Sequence, residues 1–334
     1  MLPASLRLEL GLKAGVAGAL CLLISLAFHL DLALVGVFKC FLMMTLFRSH
    51  GWSTFLQRLI VYSITAALFV TLCDVLAGNW LLLLLAIPLV SLPYVYVTSC
   101  GVMPMPTAMG GPVIVVPMLQ AFNDPSGAIM FTVHYFGQML LGLTVGFVVT
   151  HAWGVPARDP LWHRPEPTPI WPVDRYQAHH AARVTLAMLI AVGVIVVFDP
   201  PGKLQIVIST LLIALVPSIS KADRKVAVRF LGCILGAALG LAAAIVTHEL
   251  GVLLLLVLTV FTILGYLAVN EGERGYLWLQ AGVAFPMVLV ANGPVVTDAS
   301  IYSRIEGILI GGIVGCSVFL IPWPTLDRPA DASS

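Results

Sequence analysis

The chain has 334 residues, 60% hydrophobic and 10% charged, with a formal net charge of +1 and a mean hydropathy of +1.01. Soluble domains carry roughly 25% charged residues, so lipid has to be part of the solvent here. The small net charge offers nothing to nucleic acid, and continuous apolar segments such as Val252–Leu264 lack the alternation of a membrane β-barrel.

A spanning helix needs about 20 mostly apolar residues. In chain order, that rule predicts spans near 12–30, 32–47, 57–77, 80–98, 110–122 and 129–151, and then near 182–198, 204–219, 228–248, 251–269, 276–292 and 302–321. The first follows Arg7 and Lys13 and has no Ala-x-Ala site after it, so it reads as an uncleaved helix. Asp31 and Asp199-Pro200-Pro201-Gly202 mark tight turns. Segment 110–122 is short and holds Pro112 and Pro117, which leaves a re-entrant course open. The expected fold is all-α and polytopic, with about 12 transmembrane helices. The expected organisation is a first transmembrane repeat at 1–152, a cytoplasmic linker at 153–181, a second repeat at 182–323 and a disordered tail at 324–334.

Proline and charge in Gly154–Asp159 and Trp162–Pro169 exclude a span in the linker. Its His163, His179 and His180 lack the Cys, Asp or Glu spacing of a metal site. Lys and Arg crowd one set of connections, among them Arg48, Arg158, Arg164, Arg175, Lys221, Arg224, Lys225 and Arg274, while Lys203 and Arg304 fall on the other side. By the inside-positive rule both termini and the linker are cytoplasmic. The six cysteines sit in or beside apolar segments with no CxxC pair, as small buried hydrophobes do.

The second half can be laid on the first. Arg58 meets Arg229 at an offset of 171; Pro117-Met118 meets Pro286-Met287 at 169, followed by Asn123 with Asn292 and Pro125 with Pro294. Gly142-x-x-x-Gly146 then meets Gly311-x-x-x-Gly315, and Asp31 meets Asp199 at 168. An even number of spans per half makes the two repeats parallel, an arrangement that in transporters places a cavity between halves.

Lys39 is the first candidate site residue, because a charge midway along an apolar span costs at least ~2.5–3.5 kcal/mol. It either binds an anion in a translocation path or forms a structural pair with Asp74. Arg304 and Glu306, two apart, do not share a helix face. Arg304 either guides anions or anchors the helix at the interface; Glu306 either carries a proton or complements the helix start. Arg58 and Arg229 begin spans from the cytoplasmic side, as topology anchors or as a paired anion entrance. Pro117 and Pro286, with Asn123 and Asn292, either break spans symmetrically, exposing backbone donors for carboxylates, or merely kink them. Gln280 and Trp278 line a cavity or pack, and His134 relays protons or packs. Gly232, Gly236 and Gly240 share one helix face and allow close packing. No nucleotide, metal or nucleophile motif is present, so no enzyme activity or cofactor is expected.

The second half reads Arg229-x-x-Gly232-x-x-x-Gly236-x-x-x-Gly240, then Tyr276-Leu-Trp-Leu-Gln280-Ala-Gly with Phe285-Pro286, then Arg304-x-Glu306-Gly-x-x-x-Gly311, ending near Pro322-Trp-Pro324. In these motifs it resembles the fusaric acid resistance and aromatic acid exporter superfamily, which in a wider sense includes plant malate-type anion channels. The first half keeps Arg58 but has Val61, Thr65 and Phe69 where the glycines fall, and the linker replaces the large cytoplasmic domain of longer relatives. The resemblance implies an exporter of small organic, especially aromatic, carboxylic acids in a bacterial inner membrane, often completed by a periplasmic membrane-fusion adaptor. Its expected partners are the lipid bilayer and a small organic anion; the sequence leaves a homo-oligomer open. Two alternatives remain: a passive organic-anion channel, and a non-transporting membrane subunit of an envelope complex.

Overall fold

The computed structural model describes residues 3–45, 52–100, 110–154, 173–215, 219–246, 249–269, 273–289 and 298–321. Among the described residues there are helices and turns but no strands. The helices are α1 (Ala4–Ala27), α2 (Ala33–Thr45), α3 (Trp52–Leu76), α4 (Trp80–Ser99), α5 (Gly110–Asn123) and α6 (Ala128–Trp153). They continue with α7 (Arg175–Phe198), α8 (Lys203–Ala214), α9 (Ile219–Val246), α10 (Leu250–Ala268), α11 (Glu273–Leu289) and α12 (Asp298–Ser317).

Seven of these, α1, α3, α4, α6, α7, α9 and α10, are long and apolar enough to cross a membrane, and shorter apolar helices lie within α2, α8 and α12. The chain is a multi-pass helical membrane protein. At 1.5 Å per residue the 14 residues of α5 extend about 21 Å, short of a ~30 Å hydrocarbon core. On α3 the residues Leu56, Ile60, Ile64 and Leu68 recur every fourth position and are all exposed, a stripe suited to lipid contact.

Turn chemistry sets several boundaries. Asp199 closes α7 in the left-handed region at φ 47°, a conformation that acidic and amide side chains tolerate better than most. The turn between α1 and α2 holds His29 and Leu32 at φ 50° and 57°. Its Asp31 carbonyl accepts a hydrogen bond of 3.0 Å from Gln138 Nε2 on α6. At the start of α7, Asp174 Oδ1 accepts from the backbone N–H groups of Tyr176 (2.8 Å) and Gln177 (3.3 Å). That N-cap lies inside the segment expected to be linker, so helix begins about two turns earlier than hydropathy placed it.

The helices gather into two compact units. The first comprises residues 1–72, 127–163 and 227–305, the second 73–126, 164–226 and 306–334. Each unit draws on both sequence halves. In the first, α1 packs on α2, α6 and α10, α2 packs on α6 and α11, and α10 packs on α11. In the second, α7 packs on α4 and α8, and α5 packs on α4 and α8. Each unit thus joins helices one and two of one half to helices four and five of the other.

Small residues permit these approaches. A Cβ on Gly142 of α6 would meet the Gly36 carbonyl and, at 2.8 Å, Lys39 Cβ on α2; one on Gly146 would meet Met43 Cβ at 3.3 Å. In the second unit a Cβ on Gly311 of α12 would meet the Ile206 carbonyl and Ser209 Cβ of α8, and one on Gly315 would meet Ile213 Cβ. A Cβ on Gly236 of α9 would collide with the Ala281 carbonyl and Ala284 Cβ of α11, as expected for the glycine face of that helix.

Candidate functional site: a buried cation ladder between α2 and α3

Lys39 and Met43 are four residues apart on α2, and Arg58 and Tyr62 are four apart on α3, so each pair projects from one helix face. The helices run antiparallel and the pairs meet rung by rung. Lys39 Nζ donates to Tyr62 Oη at 2.5 Å and lies 4.7 Å from the centre of the tyrosine ring. One turn along, Arg58 Nη1 donates to Met43 Sδ at 3.3 Å. Lys39, Arg58 and Tyr62 are each no more than 2% exposed. The geometry sets an ammonium and a guanidinium on neighbouring rungs, the ammonium against a phenol and the guanidinium against a thioether. Cys40 Sγ donates to the Gly142 carbonyl at 3.3 Å, and the missing Cβ of Gly142 makes room for Lys39, so α6 fixes the height of the ladder.

Two unit charges about 6 Å apart repel by roughly 3 kcal/mol at an effective dielectric of ~20, before any cost of leaving water. An anion held between them reverses that sign. A phenol can also donate to such an anion through its hydroxyl while its ring faces the ammonium.

Lys39 donates to Tyr62, and Asp74, the alternative partner read from the sequence, is exposed. Glu306 is exposed on α12, and the side chain of Arg304 lies outside the described residues, as does all of Asn292. Helices α5 and α11 run through Pro117 and Pro286, both buried, rather than breaking at them. Asn123 ends α5, where its Oδ1 accepts from Lys203 Nζ at 3.3 Å; Lys203 also pairs with Asp199 at 2.5 Å. His134 Nδ1 lies 3.1 Å from Asp31 Oδ2, in a half-exposed pair.

Arg229 and Gln280, singled out separately in the sequence, are brought together: both are buried, and Arg229 Nη1 donates to Gln280 Oε1. Tyr62 was not among the candidates. Its one sequence signal is its place a single helical turn after Arg58 in an apolar run. Lys13, counted only as a topology marker, is fully buried and donates to Glu9 Oε1 (2.5 Å) and the Gly154 carbonyl (2.8 Å) at the end of α6. Arg183, 170 residues on, stacks 4.3 Å from the Phe319 ring just beyond α12.

Residues 186–318 match the family described as fusaric acid resistance protein-like. The match covers most of the second half, where the arginine–glycine series lies, and it supports the resemblance read from the sequence. No curated protein and no solved structure gives a match.

Proposed function

We propose that the chain exports small organic acids, chiefly aromatic carboxylates, across a bacterial inner membrane, with the Lys39–Arg58 ladder as the anion-binding element. The observation that carries this reading is the ladder itself: two fully buried basic side chains on neighbouring rungs, the lysine donating to a phenol, inside a unit of apolar helices. The family match supports a membrane transporter or resistance protein. We further propose twelve spans in two parallel six-helix repeats, 1–152 and 182–323, with both termini cytoplasmic. The recurring helix pairs and the equivalent glycine contacts support that layout. So do the matched cations Lys13 and Arg183 at the C-terminal ends of α6 and α12, where a helix dipole favours positive charge. A periplasmic adaptor belongs to the proposal by resemblance.

Proteoliposomes loaded with mixed aromatic and aliphatic carboxylates, with and without a pH gradient, test the reading beside Lys39→Met. Loss of one acid class that depends on the gradient and vanishes in the variant establishes a coupled exporter. Flux that follows the anion gradient alone, insensitive to ionophore, establishes a passive channel, the second reading. The exposed positions of Asp74 and Glu306 favour that second reading, because neither acid shares the buried site. Co-purification of a partner together with no flux for any acid would identify a scaffolding subunit instead.

A further inference from the structure

The ladder occupies the middle of a longer seam between α3 and α6. Trp52, Phe55, Arg58, Tyr62 and Phe69 follow one another on α3 at steps of three, three, four and seven residues, which keeps them on one face. On α6, Phe147 stacks on Phe55 with ring centres 4.1 Å apart, and Phe136 stacks on Phe69 at 6.5 Å. These two contacts run α6 antiparallel to α3 and place the rungs at Arg58 and Tyr62 between them. From Phe55 to Phe69 is 14 residues, about 21 Å of helix.

Each contact is the centre of a ring cluster. At the first, Trp52 packs edge-on against Phe147 at 4.7 Å, and His151 lies 3.9 Å from Phe147 and 5.8 Å from Trp52. Phe147 is buried, Phe55 partly exposed and Trp52 63% exposed, so this cluster runs from the seam to the surface. At the second, Tyr135 packs edge-on against Phe136 and stacks on Phe131, both at 5.8 Å. Phe69, Phe136 and Tyr135 are all buried. Between the clusters α6 has two glycines: Gly142, whose missing Cβ leaves room for Lys39, and Gly146, which lies against Met43. The seam is thus bulky at both ends and slender where the ladder lies.

We propose that the two ring clusters are the gates of an occluded chamber around the ladder, with Phe55 the moving side chain of the first gate and Phe69 that of the second. A site whose side chains are no more than 2% exposed admits a ligand only when something moves. A phenylalanine turns about two torsions and gives up ring contacts alone. The close glycine contacts of α6 on α2 would yield only if the helices parted. Both clusters are closed in this structure, so the ladder is sealed at both ends. Opening them in turn takes an anion in at one end and releases it at the other, whereas opening both at once leaves a continuous leak. The inference rests on the reading of the ladder as the anion-binding element.

The test is the accessibility of Met43→Cys, a reporter on the ladder face, to an anionic, membrane-impermeant methanethiosulfonate. The reagent is added to right-side-out and to inside-out vesicles carrying the full chain. Mass spectrometry of the labelled peptide distinguishes the reporter from the native cysteines. Phe55→Ala in the reporter chain should raise its labelling rate at least tenfold from one face of the membrane. Phe69→Ala should raise it at least tenfold from the opposite face. If Phe69→Ala fails to fold, Phe69→Leu takes its place, and Phe55→Leu does so for Phe55→Ala. Labelling within threefold of the reporter alone in both variants, an increase from the same face in both, or an increase from both faces in either would each overturn the inference. One-sided opening by each variant without carboxylate flux in proteoliposomes of the parent would refute export and leave the gates standing. Carboxylate flux in the parent with labelling unchanged by either variant would do the reverse.

Discussion

Removing the first rung of the ladder separates a binding role from a structural one. Lys39→Met/Tyr62→Phe deletes the ammonium and the hydroxyl it donates to, while keeping the volume of both side chains. Taking away both partners of a buried hydrogen bond together is close to neutral, since neither is left unsatisfied. The lost charge-assisted bond is worth about 1.5–3 kcal/mol. Against it stand the relief of roughly 3 kcal/mol of repulsion with Arg58 and the end of at least ~2.5 kcal/mol for a cation at mid-membrane depth. The double variant should therefore be at least as stable as the parent, while carboxylate flux falls below a few per cent of it. Thermal unfolding in detergent, followed by helical circular dichroism, gives the first quantity and proteoliposome flux the second. A loss of stability of more than about 2 kcal/mol, with flux per folded protein unchanged, would refute the reasoning and make Lys39–Tyr62 a packing pair.

Four further outcomes follow from local geometry. Gly236→Ala should destabilise by about 1–3 kcal/mol, because its Cβ meets the Ala281 carbonyl and Ala284 Cβ. Gly193→Ala, with nothing within 4 Å of its Cβ, should stabilise by about 0.5–1 kcal/mol through helix propensity, and paired thermal melts check the contrast. Asp174→Ala removes the acceptor for two N–H groups at the start of α7 and should cost about 0.5–2 kcal/mol, with earlier proteolysis before Arg175 as a second readout. His134→Asn should change stability by less than about 1 kcal/mol, since the Asp31 carboxylate it faces is mostly exposed; a flux that loses its dependence on the pH gradient in this variant would instead mark His134 as a proton carrier.

Composition alone settles the solvent, and hydropathy settles the class of element, because a backbone in hydrocarbon must satisfy its own hydrogen bonds and long continuous apolar runs do so as helices. The turn at Asp199 and the close-packing glycines of α9 were legible for similar local reasons, since left-handed backbone and helix approach each favour particular residue types, whereas in the turn at Asp31 the left-handed positions fall on His29 and Leu32. The matched order of Arg58 with Arg229 and of the Gly-x-x-x-Gly pairs also stood in the sequence, and the glycine contacts onto α2 and α8 fall at similar offsets.

What hydropathy could not see was which helices share a unit, because apolar faces of equal quality do not name their partners. Nor could it tell that Arg229 donates to Gln280, or that α7 starts at a capping aspartate within a proline-rich stretch. The ladder shows the boundary most plainly. Lys39 drew notice because a charge in lipid is costly, yet its neighbours Tyr62 and Met43 are ordinary membrane residues whose meaning depends on which face of α3 meets α2. That choice is made by packing between segments, and one-dimensional periodicity carries no term for it.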